Sequence, residues 1–249
     1  MLRTLLSVAG FLSLLGATMP SAPVPITLQA ADHVAIYAST YGSRQGSAPV
    51  ILLFHQAGSS KSEYAPLAPR LVALGYRAIA IDQRSGGDLY APPNETVAHL
   101  GRSASFEDVL ADMDAALAYA KRTYPGAPIY AWGSSYSAAL VFPFAAKHPG
   151  EIAAVLAFSP GEYLADKRAV QRAARRITVP VFLDSASDPQ EIASARAIYD
   201  VLGSHLKVQY VPTTGIHGSS TLRDDRDAAG AAANWQAVTA FLARVMPSR

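Results

Sequence analysis

The chain has 249 residues, half of them hydrophobic, with a formal net charge of +2 and no cysteine. That length and apolar content can bury one substantial core, so one α/β domain is expected rather than two. The weak, dispersed charge excludes a nucleic-acid footprint, and the missing cysteine excludes disulfides, thiolate metal sites and a cysteine nucleophile.

The chain opens with Met1-Leu2-Arg3, a short basic start, followed by an apolar run from Thr4 to Ala17 and then by small residues and prolines up to Pro23. This is the layout of a secretory signal peptide. The run is too short to span a bilayer, which takes roughly 20 apolar residues. Residues 1–22 are therefore read as a signal peptide and 23–249 as the folded domain. The expected location is secreted or periplasmic, with no stable membrane span after cleavage.

Residues 26–30 and 34–38 are β-rich runs around Ala31-Asp32-His33 and predict an antiparallel hairpin. Val50-Ile51-Leu52-Leu53-Phe54 is continuously apolar, as in a strand covered on both faces. It runs into His55-Gln56-Ala57-Gly58-Ser59-Ser60, and a helix to Leu74 follows, its start blurred by Pro66 and Pro69. A strand over 76–81 ends in the polar turn Asp82-Gln83-Arg84-Ser85-Gly86-Gly87-Asp88, and an irregular stretch reaches Arg102. The next helix is the clearest: Phe106, Val109, Leu110, Met113, Leu117 and Ala120 share a face, Ser105 and Asp108 cap the start, and Tyr124-Pro125-Gly126 ends it.

A strand over 128–132 then enters Gly133-Ser134-Ser135-Tyr136-Ser137, and a helix follows that Pro143 is expected to kink or end. Further strands are predicted over 152–158, 179–183 and 207–211, with helices over 165–176, 191–202 and 228–245; the last buries Trp235, Val238, Phe241 and Leu242. The basic residues Lys167, Arg168, Arg172, Arg175 and Arg176 read as a solvated face, partly paired with Glu162 and Asp166. This alternation predicts a mostly parallel sheet with helices on both faces and a site beyond the carboxyl ends of the strands. The connection over 160–178 is too short for a large cap domain.

Chemistry is expected at those strand ends. A strand that turns at once into a helix through small residues is the setting of a nucleophile elbow, and its register selects Ser135. A serine hydroxyl needs a base, and the base needs a group to orient it. Of the six histidines, His33, His99, His148 and His205 lie on surface turns and loops, whereas His217 sits on a glycine-flanked loop after the last strand and is the expected base. The orienting carboxylate should follow the strand between Ser135 and His217, where Asp184 and Asp188 compete. Asp188, in a turn free to face the histidine loop, is preferred. Two amides must hold the oxyanion; Tyr136 supplies one, and Ala57, with Gln56 as alternative, the other. Nothing implies a metal or cofactor, and the expected partner is a small acyl substrate.

With these residues in place the chain resembles the α/β-hydrolases, and within them the small dienelactone-hydrolase-like bacterial members, over about residues 26–245. The order Ser135, Asp188, His217 is the family's order. His55-Gln56-Ala57-Gly58 resembles its His-Gly-x-Gly oxyanion loop, which carries the second donor onto Ala57. Residues Asp82 to Gly87 resemble its Asp-x-Arg-Gly-x-Gly turn, in a structural role. The chain departs in having Gln56 for glycine, Ser137 for the second elbow glycine, and serine where true dienelactone hydrolases have cysteine. The resemblance implies a serine hydrolase of esters or related acyl compounds. Acyl transfer to another acceptor, or ligand binding without catalysis, are the alternatives.

Overall fold

The computed structural model describes residues 22–247, so residues 1–21 of the expected signal peptide lie outside the described residues. An eight-stranded sheet forms the centre, in the order β1-β2-β4-β3-β5-β6-β7-β8. Its strands are β1 (Val24–Gln29), β2 (Ala35–Tyr41), β3 (Val50–Phe54), β4 (Arg77–Ile81), β5 (Ile129–Ser134), β6 (Ala154–Phe158), β7 (Val181–Asp184) and β8 (Lys207–Gln209). Strands β1 and β2 form the antiparallel hairpin, and β3 to β8 run parallel to one another.

The helices are α1 (Ala68–Ala73), α2 (Glu95–Leu100), α3 (Leu110–Thr123), α4 (Tyr136–Lys147), α5 (Ala169–Ala174), α6 (Pro189–Val201) and α7 (Ala231–Val245). In β3, Val50, Leu52 and Phe54 belong to the core cluster that holds Met113 of α3, Leu140 of α4 and Ile198 of α6, while Ile51 and Leu53 belong to the cluster that holds Leu71 of α1 and Trp235 and Phe241 of α7. Because both faces are covered, the strand has no polar alternation, and each such side chain contributes roughly 1.5–3 kcal/mol by burial. Chain order along the sheet reverses between β3 and β5, the point beyond whose strand ends sheets of this kind take ligands.

Three expectations are corrected. Of the kink or end expected at Pro143, the end does not occur, since α4 runs on to Lys147. An interior proline costs about 3 kcal/mol, but Leu140, Val141, Phe142 and Phe144 are all fully buried and offset it. The stretch to Arg102 is not wholly irregular: Asn94 caps α2 by accepting from the Val97 amide, and Gly101 closes it at φ 69°. The single helix expected before Leu74 is divided into a 3-10 turn, Lys61–Tyr64, and α1, with Pro66 in the break. Among the described residues no cap domain covers the strand ends, since α5 is the one helix between β6 and β7. No helix of the described residues is long and apolar enough to cross a membrane.

Candidate active site

Ser135 stands alone between β5 and α4 with φ 59° and ψ −121°. A non-glycine residue held there stores of order 1–3 kcal/mol, and its amide is anchored to the Phe158 carbonyl at 2.8 Å. Gly133 permits the turn, because a Cβ at that position would stand 2.3 Å from the Ser137 carbonyl oxygen. Ser137 is more than a small filler. Its hydroxyl donates to the His55 carbonyl at 2.6 Å and accepts from Gln83 Nε2 at 2.8 Å, tying the elbow to the loops after β3 and β4. Ser134 is fully buried, and its hydroxyl donates to Glu63 at 2.7 Å.

The Ser135 hydroxyl lies 2.6 Å from His217 Nε2, so the expected nucleophile and base are brought together. The carboxylate at His217 Nδ1 is neither aspartate considered above: it is Glu191, at 2.7 Å. Asp188 instead caps α6, accepting from the amides of Gln190 at 2.9 Å and Glu191 at 3.1 Å. An aspartate at that position is drawn to the free first amides of its helix, which turns it to the helix rather than to His217. Asp184 accepts from the Ser185 amide, and burial pushes its carboxyl up to about 8.

Glu191 stands three residues past the cap, where a capping-box glutamate normally reaches back to the helix start. Here its Oε2 accepts from the Ala186 amide at 3.1 Å, leaving Oε1 for His217. The Asp-x-x-Glu spacing was a readable signal for a carboxylate on this turn. Burial alone would raise the pKa of Glu191, but hydrogen bonds from His217 and Ser159 outweigh it and bring it to about 2. Ser159, itself at φ 55°, also accepts from the Gly218 amide at 2.8 Å and so steadies the histidine loop.

The Gln56 amide donates to Glu63 Oε2 at 2.8 Å, which removes it as an oxyanion donor. Among the described residues no protein acceptor engages the Ala57 or Tyr136 amides. The Ala57 loop is pinned from the β4 side, where the Gly87 amide donates to the Ser59 carbonyl and the Leu89 amide to the Gly58 carbonyl. A Cβ on Gly87 would stand 2.7 Å from that Gly58 oxygen. His55 is fully buried and held neutral by desolvation; its Nδ1 donates to the Gln56 carbonyl and its Nε2 accepts from the Gln83 amide. Asp82 accepts from the amides of Lys61 and Glu95, and Arg84 pairs with Asp112 and Asp32, both structural roles.

Comparison with known families matches residues 45–200 to the model described as Hydrolase_4, serine aminopeptidase S33. Sequence comparison with curated proteins finds no match. Among solved structures, the chain is similar to a cold-adapted esterase from an Arctic intertidal metagenomic library, at 21% identity and TM-score 0.63 over 90% of this chain and 93% of that one. An esterase of Pyrococcus furiosus matches at 19% identity and TM-score 0.67, over 90% of this chain and 92% of that one. A dienelactone hydrolase from Anabaena variabilis matches at 15% identity and TM-score 0.72, over 92% of this chain and the whole of that one. The likeness to these structures is one of fold, and the family match spans well over half the sequence: the chain belongs to the serine aminopeptidase S33 (Hydrolase_4) family of α/β-hydrolases.

Proposed function

We propose that this protein is a serine hydrolase that cleaves esters or related acyl bonds of small substrates through an acyl-enzyme. The observation that carries the reading is the unbroken chain Ser135 Oγ, His217 Nε2, His217 Nδ1, Glu191 Oε1, with links of 2.6 and 2.7 Å. Glu191 holds the proton on Nδ1, so Nε2 is the free base facing the hydroxyl. As Ser135 Oγ bonds to the carbonyl carbon, its proton passes to Nε2 and the carbonyl oxygen becomes an oxyanion held by the Ala57 and Tyr136 amides. Collapse of the tetrahedral species breaks the bond to the leaving group, which takes the proton from Nε2. Water then repeats the sequence on the acyl-enzyme, releasing the acid and restoring Ser135.

The family description names an aminopeptidase, which would need a free carboxylate to bind the substrate's ammonium group. The two carboxylates built into this site are taken, Glu191 by His217 and Ala186, and Glu63 by Gln56 and Ser134. This favours esters over peptides. Secretion through residues 1–22 remains part of the proposal. Fluorophosphonate labelling followed by peptide mapping tests the reading: the adduct is expected on Ser135, absent in Ser135→Ala and retained in Ser134→Ala. An adduct on Ser134, or none on the wild type, would show the assignment to be wrong.

A further inference from the structure

Glu63 is fully buried beneath the site and has no part in the proton path. Its Oε2 accepts from the Gln56 amide at 2.8 Å, and its Oε1 accepts from Ser134 Oγ at 2.7 Å. Ser134 Oγ in turn accepts from the Ser219 amide at 2.8 Å. Gln56 directly precedes Ala57, Ser134 directly precedes Ser135, and Ser219 lies just beyond His217 in the same loop. One carboxylate thus ties together the three segments that carry the oxyanion donor, the nucleophile and the base.

We propose that Glu63 is a positioning residue of this site, which holds the Ala57 amide toward the oxyanion and the histidine loop against Ser135. The proposal rests on the serine-hydrolase reading above. Only two soft dihedrals separate successive peptide planes, so fixing the Gln56 amide on Glu63 restricts the direction of the Ala57 amide. The ionised form fits the site, because the Gln56 amide, Ser134 Oγ and, at 3.5 Å, Gln56 Nε2 all donate to it, and a carboxylic acid would set its own proton against one of them. The groups that face Glu63 are Arg223, whose guanidinium donates to the carbonyls of Ser62 and Glu63, together with His217, Tyr64 and Tyr136. Burial pushes the Glu63 carboxyl up to about 7, against the hydrogen bonds from Gln56 and Ser134. The clamp is therefore complete above neutral pH and is lost as pH falls through that value.

The test is Glu63→Gln, close in shape but with one acceptor oxygen where the carboxylate offers two. Losing a whole oxyanion donor costs about 10²–10³ in rate, so misaligning one should lower kcat by roughly tenfold to a hundredfold. KM for a p-nitrophenyl ester should stay within about threefold, and the rate of fluorophosphonate labelling should fall in step with kcat. In the wild type, the labelling rate should fall through a step as pH drops through about 7, where Glu63 takes up a proton, and Glu63→Gln should lack that step. A variant with wild-type kcat, a loss that merely tracks the fraction of folded protein, or a step near pH 7 that persists in Glu63→Gln overturns the proposal. If Glu63→Gln does not fold, Ser134→Ala decides: it cuts the link from Glu63 to the Ser219 amide and should slow labelling of Ser135 with KM unchanged, and a wild-type labelling rate overturns the proposal. A wild type that fails to label at Ser135 overturns the serine-hydrolase reading and this proposal together, whereas normal labelling with an unaffected Glu63→Gln overturns this proposal alone.

Discussion

Replacing Glu191 by Gln should abolish most turnover while leaving the fold intact. The carboxylate has two acceptor oxygens in use, Oε2 for the Ala186 amide at 3.1 Å and Oε1 for His217 at 2.7 Å. A glutamine has one acceptor and one donor end, so it cannot serve both. If its oxygen stays with Ala186, its amide faces Nδ1 and forces the imidazole proton onto Nε2, where it blocks transfer from Ser135. The equivalent wrong-tautomer change in the best-studied serine protease triad costs on the order of 10⁴ in kcat. At about 1.36 kcal/mol per tenfold, that is roughly 5.4 kcal/mol of lost transition-state stabilisation. Asp188→Asn is the matched control, because asparagine caps a helix about as well as aspartate. Its kcat should stay within about threefold of wild type, and Asp188→Ala should cost about 1 kcal/mol of stability with little effect on turnover. The assay is kcat on p-nitrophenyl acetate beside a thermal melt for each variant. Near-normal turnover in Glu191→Gln with loss in Asp188→Asn would refute this reasoning and return the acid to Asp188.

With α5 as the one helix between β6 and β7, little apolar wall exists to bury a long acyl chain, and each unburied methylene forgoes roughly 0.8 kcal/mol. Short p-nitrophenyl esters should be cleaved at least as well as long ones; kcat/KM rising steadily from acetate to palmitate, or activation by micelles, would contradict this. Asp184 has a buried Oδ2 with no partner and a carboxyl raised to about 8, so its protonated form suits the fold and wild-type stability drains away as pH rises from about 4 toward 8. Asp184→Asn lacks that loss, so its Tm relative to wild type should climb across this window with turnover retained; a pH-independent difference would count against the buried acid. Gly133→Ala drives a Cβ against the Ser137 carbonyl and should cost about 1–3 kcal/mol or more in denaturant titration, where an unchanged midpoint would show the elbow to be looser than described.

The frame of this protein is legible in the order of its residues. The apolar runs of β3 to β7 could satisfy burial only between two helical layers, and the punctuation by glycine and proline set the α/β order. The elbow was legible for a local reason: Gly133 and the small residues around Ser135 are dictated by backbone contacts a few positions apart. His217 was legible because it is the one histidine on a glycine-flanked loop at a strand end. The carboxylate was decided only by tertiary structure. Asp188 and Glu191 are three residues apart on one helix turn, and spacing cannot say which reaches a loop 26 residues further on. That choice follows from competition: the helix amides claim Asp188, and the Ala186 amide turns Glu191 toward His217. Which of the Gln56 and Ala57 amides stays free likewise depends on Glu63, whose buried carboxylate takes the first and leaves the second. The role of Ser137, which stands where the family has its second elbow glycine, follows only from the His55 carbonyl and Gln83 beside it. Contacts within a turn are written in neighbouring residues, whereas a buried polar group finds its partner across the fold, where only packing of distant segments sets the distance.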